Sequence, residues 1–141
     1  MKILLAVDGS AYTTKAVDFV ISHFDWFRGT PQLHLLHVQP PFPDKHAKAV
    51  VGREAIESYY KEESEAALAP AEDLLRKKGV AFERAYLVGD IAAEVQEFVR
   101  KHGIDMVVMG SHGHGSLKSL IMGSTTSKVL AATNVPVLLI R

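Results

Sequence analysis

Residues 3–10 read ILLAVDGS. Ile3 to Val7 is an unbroken apolar run, and Asp8-Gly9-Ser10 follows it directly. A strand with one wet face alternates apolar and polar residues, whereas an unbroken run suits a strand buried on both faces of a parallel sheet. Ser10 is placed to N-cap the next segment. There Val17, Val20, Ile21 and Phe24 fall on one helix face, and Gly29-Thr30-Pro31 ends the unit.

The same strand–turn–helix unit recurs along the chain. Leu33 to Val38 (LHLLHV) is a second strand, stopped by the prolines at 40, 41 and 43. Residues 40–50 read as a long surface loop. Ala49 to Lys78 turns helical, with Pro70 expected to kink or break it near Ala66. Lys77-Lys78-Gly79 ends it well, with cations at the negative end of the dipole and then glycine. Val80 to Val88 is a third strand, and Asp90 is expected to cap a helix that buries Ile91, Val95, Phe98, Val99 and His102 and stops at Gly103. Ile104 to Met109 is a fourth strand, Ser124 to about Thr133 a short helix, and Val135 to Ile140 a last strand. Pro136 puts that last strand at a sheet edge. The alternation predicts an α/β fold, a single open five-stranded parallel sheet with helices on both faces, Rossmann-like, over residues 1–141, and the order expected for it is 3-2-1-4-5.

Composition narrows the function classes. The chain has 141 residues, within the roughly 100–200 of one domain. Sixteen basic residues balance 16 acidic ones, so binding nucleic acid by bulk charge is not expected. There is no cysteine, which excludes disulfides, thiolate catalysis and cysteine-held metals. No apolar run approaches membrane-span length. The opening is too short for a signal-peptide core, and a cytoplasmic location is expected.

Ligands of open α/β sheets bind past the carboxyl ends of the strands, where strand order reverses. In the expected order the first and fourth strands meet at that reversal, and both end in Gly-Ser: Gly9-Ser10 and Gly110-Ser111. Residues 110–127, GSHGHGSLKSLIMGSTTS, hold four of the ten glycines. Glycine lets main-chain N–H groups approach a phosphate, and the helix opening at Gly123-Ser124-Thr125-Thr126 offers unpaired N–H groups and a positive dipole end. No Asp or Glu lies between 106 and 141 to repel an anion. Standard phosphate motifs are absent. Ser116-Leu117 stand where a P-loop requires Lys-Ser/Thr, Lys118 stands where a dinucleotide fingerprint requires glycine, and His112-Gly113-His114 is not the His-x-Gly-His of adenylyl-transferring synthetases.

Gly110, Gly113, Gly123 and Ser124 do satisfy Gly-x2-Gly-x9-Gly-Ser/Thr between the fourth and fifth strands. With ILLAVDGS at the start, Val88-Gly89-Asp90 and the terminal VPVLLI, the whole chain resembles a universal stress protein of the ATP-binding kind. The resemblance implies ATP, with Mg²⁺, between the two glycine-bearing loops. It puts Asp8 at the nucleoside end, facing a ribose hydroxyl, the base or a metal. Val38 would hold adenine through its main chain, and Met109 and Gly110 would lie along the ribose. Gly113, Gly123, Ser124 and Thr125 would wrap the phosphates. It also implies a homodimer through residues 135–140. The function expected is a nucleotide-dependent stress-response module with at most slow ATP hydrolysis or autophosphorylation. Two rivals remain: a small adenylyl or phosphoryl transferase, and a dimeric interaction scaffold that binds no nucleotide.

Other residues invite readings of their own. His34 and His37 are three apart on a strand, so they face opposite sides and make poor co-ligands. His112 faces a phosphate or solvent, and no third ligand joins it with His114. Lys118 reaches a γ-phosphate or water. Ser116 and Ser119 are candidate phosphate acceptors.

Overall fold

Lys2–Ala6 forms strand β1, and its central residues Ile3, Leu4 and Leu5 are wholly buried. The computed structural model describes residues 1–115 and 122–141. Helix α1 spans Ala11–Ser22, β2 Gln32–Gln39, α2 Lys45–Val51, α3 Arg53–Lys77, β3 Phe82–Val88, α4 Ile91–His102, β4 Met106–Gly110, α5 Ser124–Ala132 and β5 Val137–Ile140. The five strands form one parallel sheet in the expected order β3-β2-β1-β4-β5.

The unbroken apolar runs are explained by two cores, one on each face of the sheet. Ile3, Leu5, Leu33, Leu35 and Val108 pack on one side with Val17 and Val20 of α1 and Leu68 and Leu75 of α3. Leu4, Leu36 and Val107 pack on the other with Val95, Phe98 and Val99 of α4 and Val129 of α5. The looser alternation of β3 fits its place at the edge, where its residues are half-buried or exposed. His34 and His37 do face opposite sides. His34 lies by Phe98 and His102 of α4, and His37 reaches the main chain at the end of β1.

Several local expectations are corrected. Pro70 does not break the helix, because α3 runs through it for 25 residues. The proline deletes one helix hydrogen bond and crowds the preceding turn, which costs about 3 kcal/mol. Yet Ala67, Leu68, Ala71 and Leu75 bury one stripe across it, and each leucine contributes roughly 1.5–3 kcal/mol. Tertiary burial outweighs the local penalty. The helical stretch is divided instead at Gly52, and α2 occupies part of the segment expected to be loop. The last strand begins at Val137 and not Val135. Pro136, just outside it, still offers its carbonyl to the Val107 N–H at 3.0 Å.

Candidate functional site

β1 sends its chain toward β2 on one side and lies beside β4 on the other, so the carboxyl ends of β1 and β4 open a crevice between diverging connections. A cavity of about 800 Å³ fills it. Asp8, Val38, Met109, Gly110, Gly113, Gly123, Ser124 and Thr125, all eight residues singled out in the sequence, line this one cavity. Its volume falls within the range of small-molecule sites. Val38, Ile91, Val95 and Met109 supply an apolar part of the lining, and α5 presents its N-terminus at another part.

The turn after β1 is organised by Asp8, not by a cap from Ser10. Asp8 Oδ1 accepts hydrogen bonds from the Ser10 N–H (2.9 Å) and the Thr13 hydroxyl (2.8 Å). The Thr13 oxygen in turn accepts the Asp8 N–H at 3.0 Å. Ser10 occupies the N-cap position, but its Oγ is buried and makes no hydrogen bond among the described residues. Burial pushes the Asp8 carboxyl up. The hydrogen bonds from Ser10 and Thr13, with His114 nearby, outweigh burial and hold it below the usual carboxylate range. Gly9 has φ +78°, and a Cβ there would lie 2.9 Å from the Ala67 Cα, so the β1 turn passes directly against the backbone of α3.

The glycine loop is fastened to the same turn. His114 Nε2 lies 2.7 Å from the Asp8 carbonyl. A Cβ on Gly113 would meet Asp8 Oδ2 at 2.7 Å, and one on Gly110 would meet the Tyr12 Cβ at 2.5 Å. The Ser111 N–H donates to the Ile140 carbonyl at 2.8 Å, and the Thr126 hydroxyl lies 3.3 Å from the carbonyls of both Gly110 and Ser111. The Gly123 N–H donates to the Ser111 carbonyl at 3.1 Å. Gly123 therefore ties the start of α5 to the chain just after β4, and its N–H is already engaged. The N–H groups of Ser124, Thr125 and Thr126 are the ones that α5 cannot pair internally.

Asp90 caps α4 as expected, its carboxylate accepting the Ala93 N–H at 3.0 Å. Among the described residues, no three His, Asp or Glu side chains converge as a metal-ligand set. Lys118, Ser116 and Ser119 lie outside the described residues. Thr13, Gln39, Glu63 and Ala67 also line the cavity and were not singled out in the sequence, and His37, weighed there only as a metal co-ligand, lines it too. Thr13 carries a readable signal, a hydroxyl one helical turn into the segment after Asp8. The α3 wall carries none, because nothing local announces that residues 63–67 fold back over Gly9.

A family model described as the Universal stress protein family matches residues 1–141. The universal stress protein Slr1230 of Synechocystis is 32% identical over 140 residues, a match covering 99% of this chain and 42% of that protein. The chain thus spans less than half the length of that relative. The universal stress protein YxiE of Bacillus subtilis is 29% identical over 147 residues, covering 99% of this chain and 98% of that one. The solved structure of hypothetical protein MJ0577, from Methanocaldococcus jannaschii, superposes with a TM-score of 0.76 at 27% identity, covering 99% of this chain and 94% of that one. The universal stress protein of Archaeoglobus fulgidus in complex with dAMP shares the fold, with a TM-score of 0.70 at 22% identity over 100% of this chain and 98% of that one.

Proposed function

The chain belongs to the universal stress protein family, and on that premise we propose that it is an ATP-binding regulatory module that acts in the cytoplasm in the response to stress. The observation that carries this reading is the arrangement of the cavity. An apolar wall of Val38, Ile91, Val95 and Met109 and the N–H groups at the start of α5 that the helix does not pair internally line the same space of about 800 Å³. A nucleotide needs both, a flat apolar slot for the base and main-chain donors for phosphate. The dAMP complex of the Archaeoglobus fulgidus relative supports an adenine nucleotide as the class of ligand.

Within this reading Val38 and Met109 flank the nucleoside, and Asp8 with Gly110 lies along the ribose. Gly113 lets the loop pass close to Asp8. Ser124 and Thr125 give N–H and hydroxyl donors to the phosphates, while Gly123 sets the start of α5 against Ser111. Mg²⁺, when bound with ATP, would neutralise phosphate charge, and the donor set fits it modestly: one Asp8 carboxylate with Oδ1 engaged and Oδ2 turned toward Gly113. Asp8 is held more acidic than an ordinary carboxylate and is a weak general base at neutral pH, which favours holding the nucleotide over hydrolysing it quickly. β5 is an edge strand with half-buried residues, and it supports a homodimer paired through 135–140.

Calorimetric titration with ATP and Mg²⁺, beside Gly113→Val, tests the reading. Wild-type binding that the variant loses by roughly tenfold or more, about 1.4 kcal/mol, is expected. A folded, ligand-free protein that binds no adenine nucleotide would leave the dimeric scaffold as the better account.

A further inference from the structure

β2 runs on to Gln39, whereas β1 stops at Ala6. Among the described residues the sheet therefore has a rung at which β2 lacks a strand neighbour on one side. Two bonds orient the β2 main chain there. The Leu36 carbonyl accepts the Val7 N–H at 2.9 Å, and the Gln39 carbonyl accepts the Gly89 N–H at 3.0 Å, beyond β3. Successive residues of a strand direct their main-chain groups to opposite neighbours, so Leu36 and Val38 face the β1 side and Gln39 faces β3. One more rung of the ladder would join the Val38 N–H to the Val7 carbonyl.

That carbonyl is engaged from another direction. It lies 2.8 Å from Nδ1 of His37, a residue that is only 8% exposed and lines the same cavity. The other ring nitrogen, Nε2, lies 3.1 Å from the side-chain amide of Gln39 at Oε1. A neutral imidazole satisfies both contacts when Nδ1–H donates to Val7 and Nε2 accepts from the amide NH₂, with the Gln39 amide turned accordingly. Nδ1 thus engages the Val7 carbonyl, the group that one more rung of the ladder would use.

We infer that His37 is a positioning residue for nucleobase selection: by occupying the Val7 carbonyl, it leaves the main-chain N–H and C=O of Val38 to a 6-aminopurine. An N–H beside a C=O matches the N1 acceptor and 6-amino donor of adenine. It opposes the N1–H donor and 6-oxo acceptor of hypoxanthine, where two like groups would meet unpaired. This inference rests on the nucleotide reading of the cavity and adds to it the side chain that keeps the base edge available.

The test is the ratio of affinities for adenosine and inosine monophosphates, measured by calorimetry on the full chain. Wild type is expected to prefer the 6-amino nucleotide by roughly tenfold or more. His37→Leu frees the Val7 carbonyl to take the Val38 N–H, so the ratio should fall toward one. His37→Asn keeps an N–H near the Nδ1 position and should restore the ratio. If His37→Leu does not fold, His37→Gln takes its place, since its donor sits too far out to mimic Nδ1. A variant that weakens both nucleotides equally, leaving the ratio intact, would make His37 merely structural and overturn the inference. Equal wild-type affinities would overturn it alone. A wild type that binds neither nucleotide would overturn the nucleotide reading as well.

Discussion

Asp8 and Gly113 meet so closely that a methyl group on Gly113 would lie 2.7 Å from Asp8 Oδ2. The residue that orders the turn after β1 and the glycine that begins the loop after β4 are thus in direct contact, although 105 positions separate them in the chain.

That contact differs in kind from the one at Gly110. The obstacle at Gly113 is the far end of a side chain, which can turn away, whereas at Gly110 it is the Cβ and, at 3.2 Å, the backbone of Tyr12. Gly113→Ala should lose nucleotide affinity and less thermal stability than Gly110→Ala, because the displaced carboxylate belongs to the site and loosens only its own bonds to the Ser10 N–H and the Thr13 hydroxyl. Gly110→Ala should destabilise the fold by about 1–3 kcal/mol, the usual cost of overpacking. Melting curves and titrations on both variants check the contrast, and equal stability losses would refute it.

Acid should weaken the β1 turn. The Asp8 carboxyl is held below its ordinary range in the folded chain, so in the unfolded chain it binds protons more readily. Its contribution is complete at neutral pH and fades as pH falls below about 4 and through the lower folded value. Asp8→Asn should therefore be less stable than wild type at pH 7, and the gap should narrow in denaturant melts near pH 3.

His34 acts at a higher pH. Burial lowers its pKa, Glu83 raises it in part, and His102 and Lys2 lower it further. The fold therefore favours the neutral ring, while the unfolded chain takes up a proton near pH 6.5. Stability from this residue is present above that pH and declines as pH drops from about 6.5 toward the depressed folded value. His34→Gln should flatten the decline between pH 7 and 5, and NMR titration of wild type should place the His34 midpoint below the free value.

Pro70→Ala should stabilise the protein. It returns an N–H to the α3 ladder at the Ala66 carbonyl and removes the ring from the helix interior. Part of the gain is offset because alanine leaves the unfolded chain freer. A net increase of about 1–2 kcal/mol is expected from chemical denaturation. A decrease would mean that the proline ring itself packs productively.

Much of the site could be read in the chain before folding. The paired Gly-Ser endings at 9–10 and 110–111 pointed to one crevice, and all eight residues drawn from them and from the family pattern line one cavity. The roles of Ser10 and Gly123 could not be read. Serine after a strand is a common cap, but here the Asp8 carboxylate takes the Ser10 N–H, and the Ser10 hydroxyl makes no bond among the described residues. Glycine at a helix start is a common phosphate donor, but the Ser111 carbonyl takes the Gly123 N–H.

Unbroken apolar runs, their alternation with amphipathic segments and the placing of glycines are local properties, and they determined the parallel α/β sheet and the glycine-bearing strand ends from which the crevice is built. What required the tertiary structure is whatever depends on partners distant in the chain. Stripe burial against the sheet carries α3 on through Pro70. The α3 backbone closes over Gly9, and His114 reaches the Asp8 carbonyl across 106 positions. His37 turns its ring to the end of β1, 30 positions back. Each of these contacts joins groups that only the assembled packing brings together.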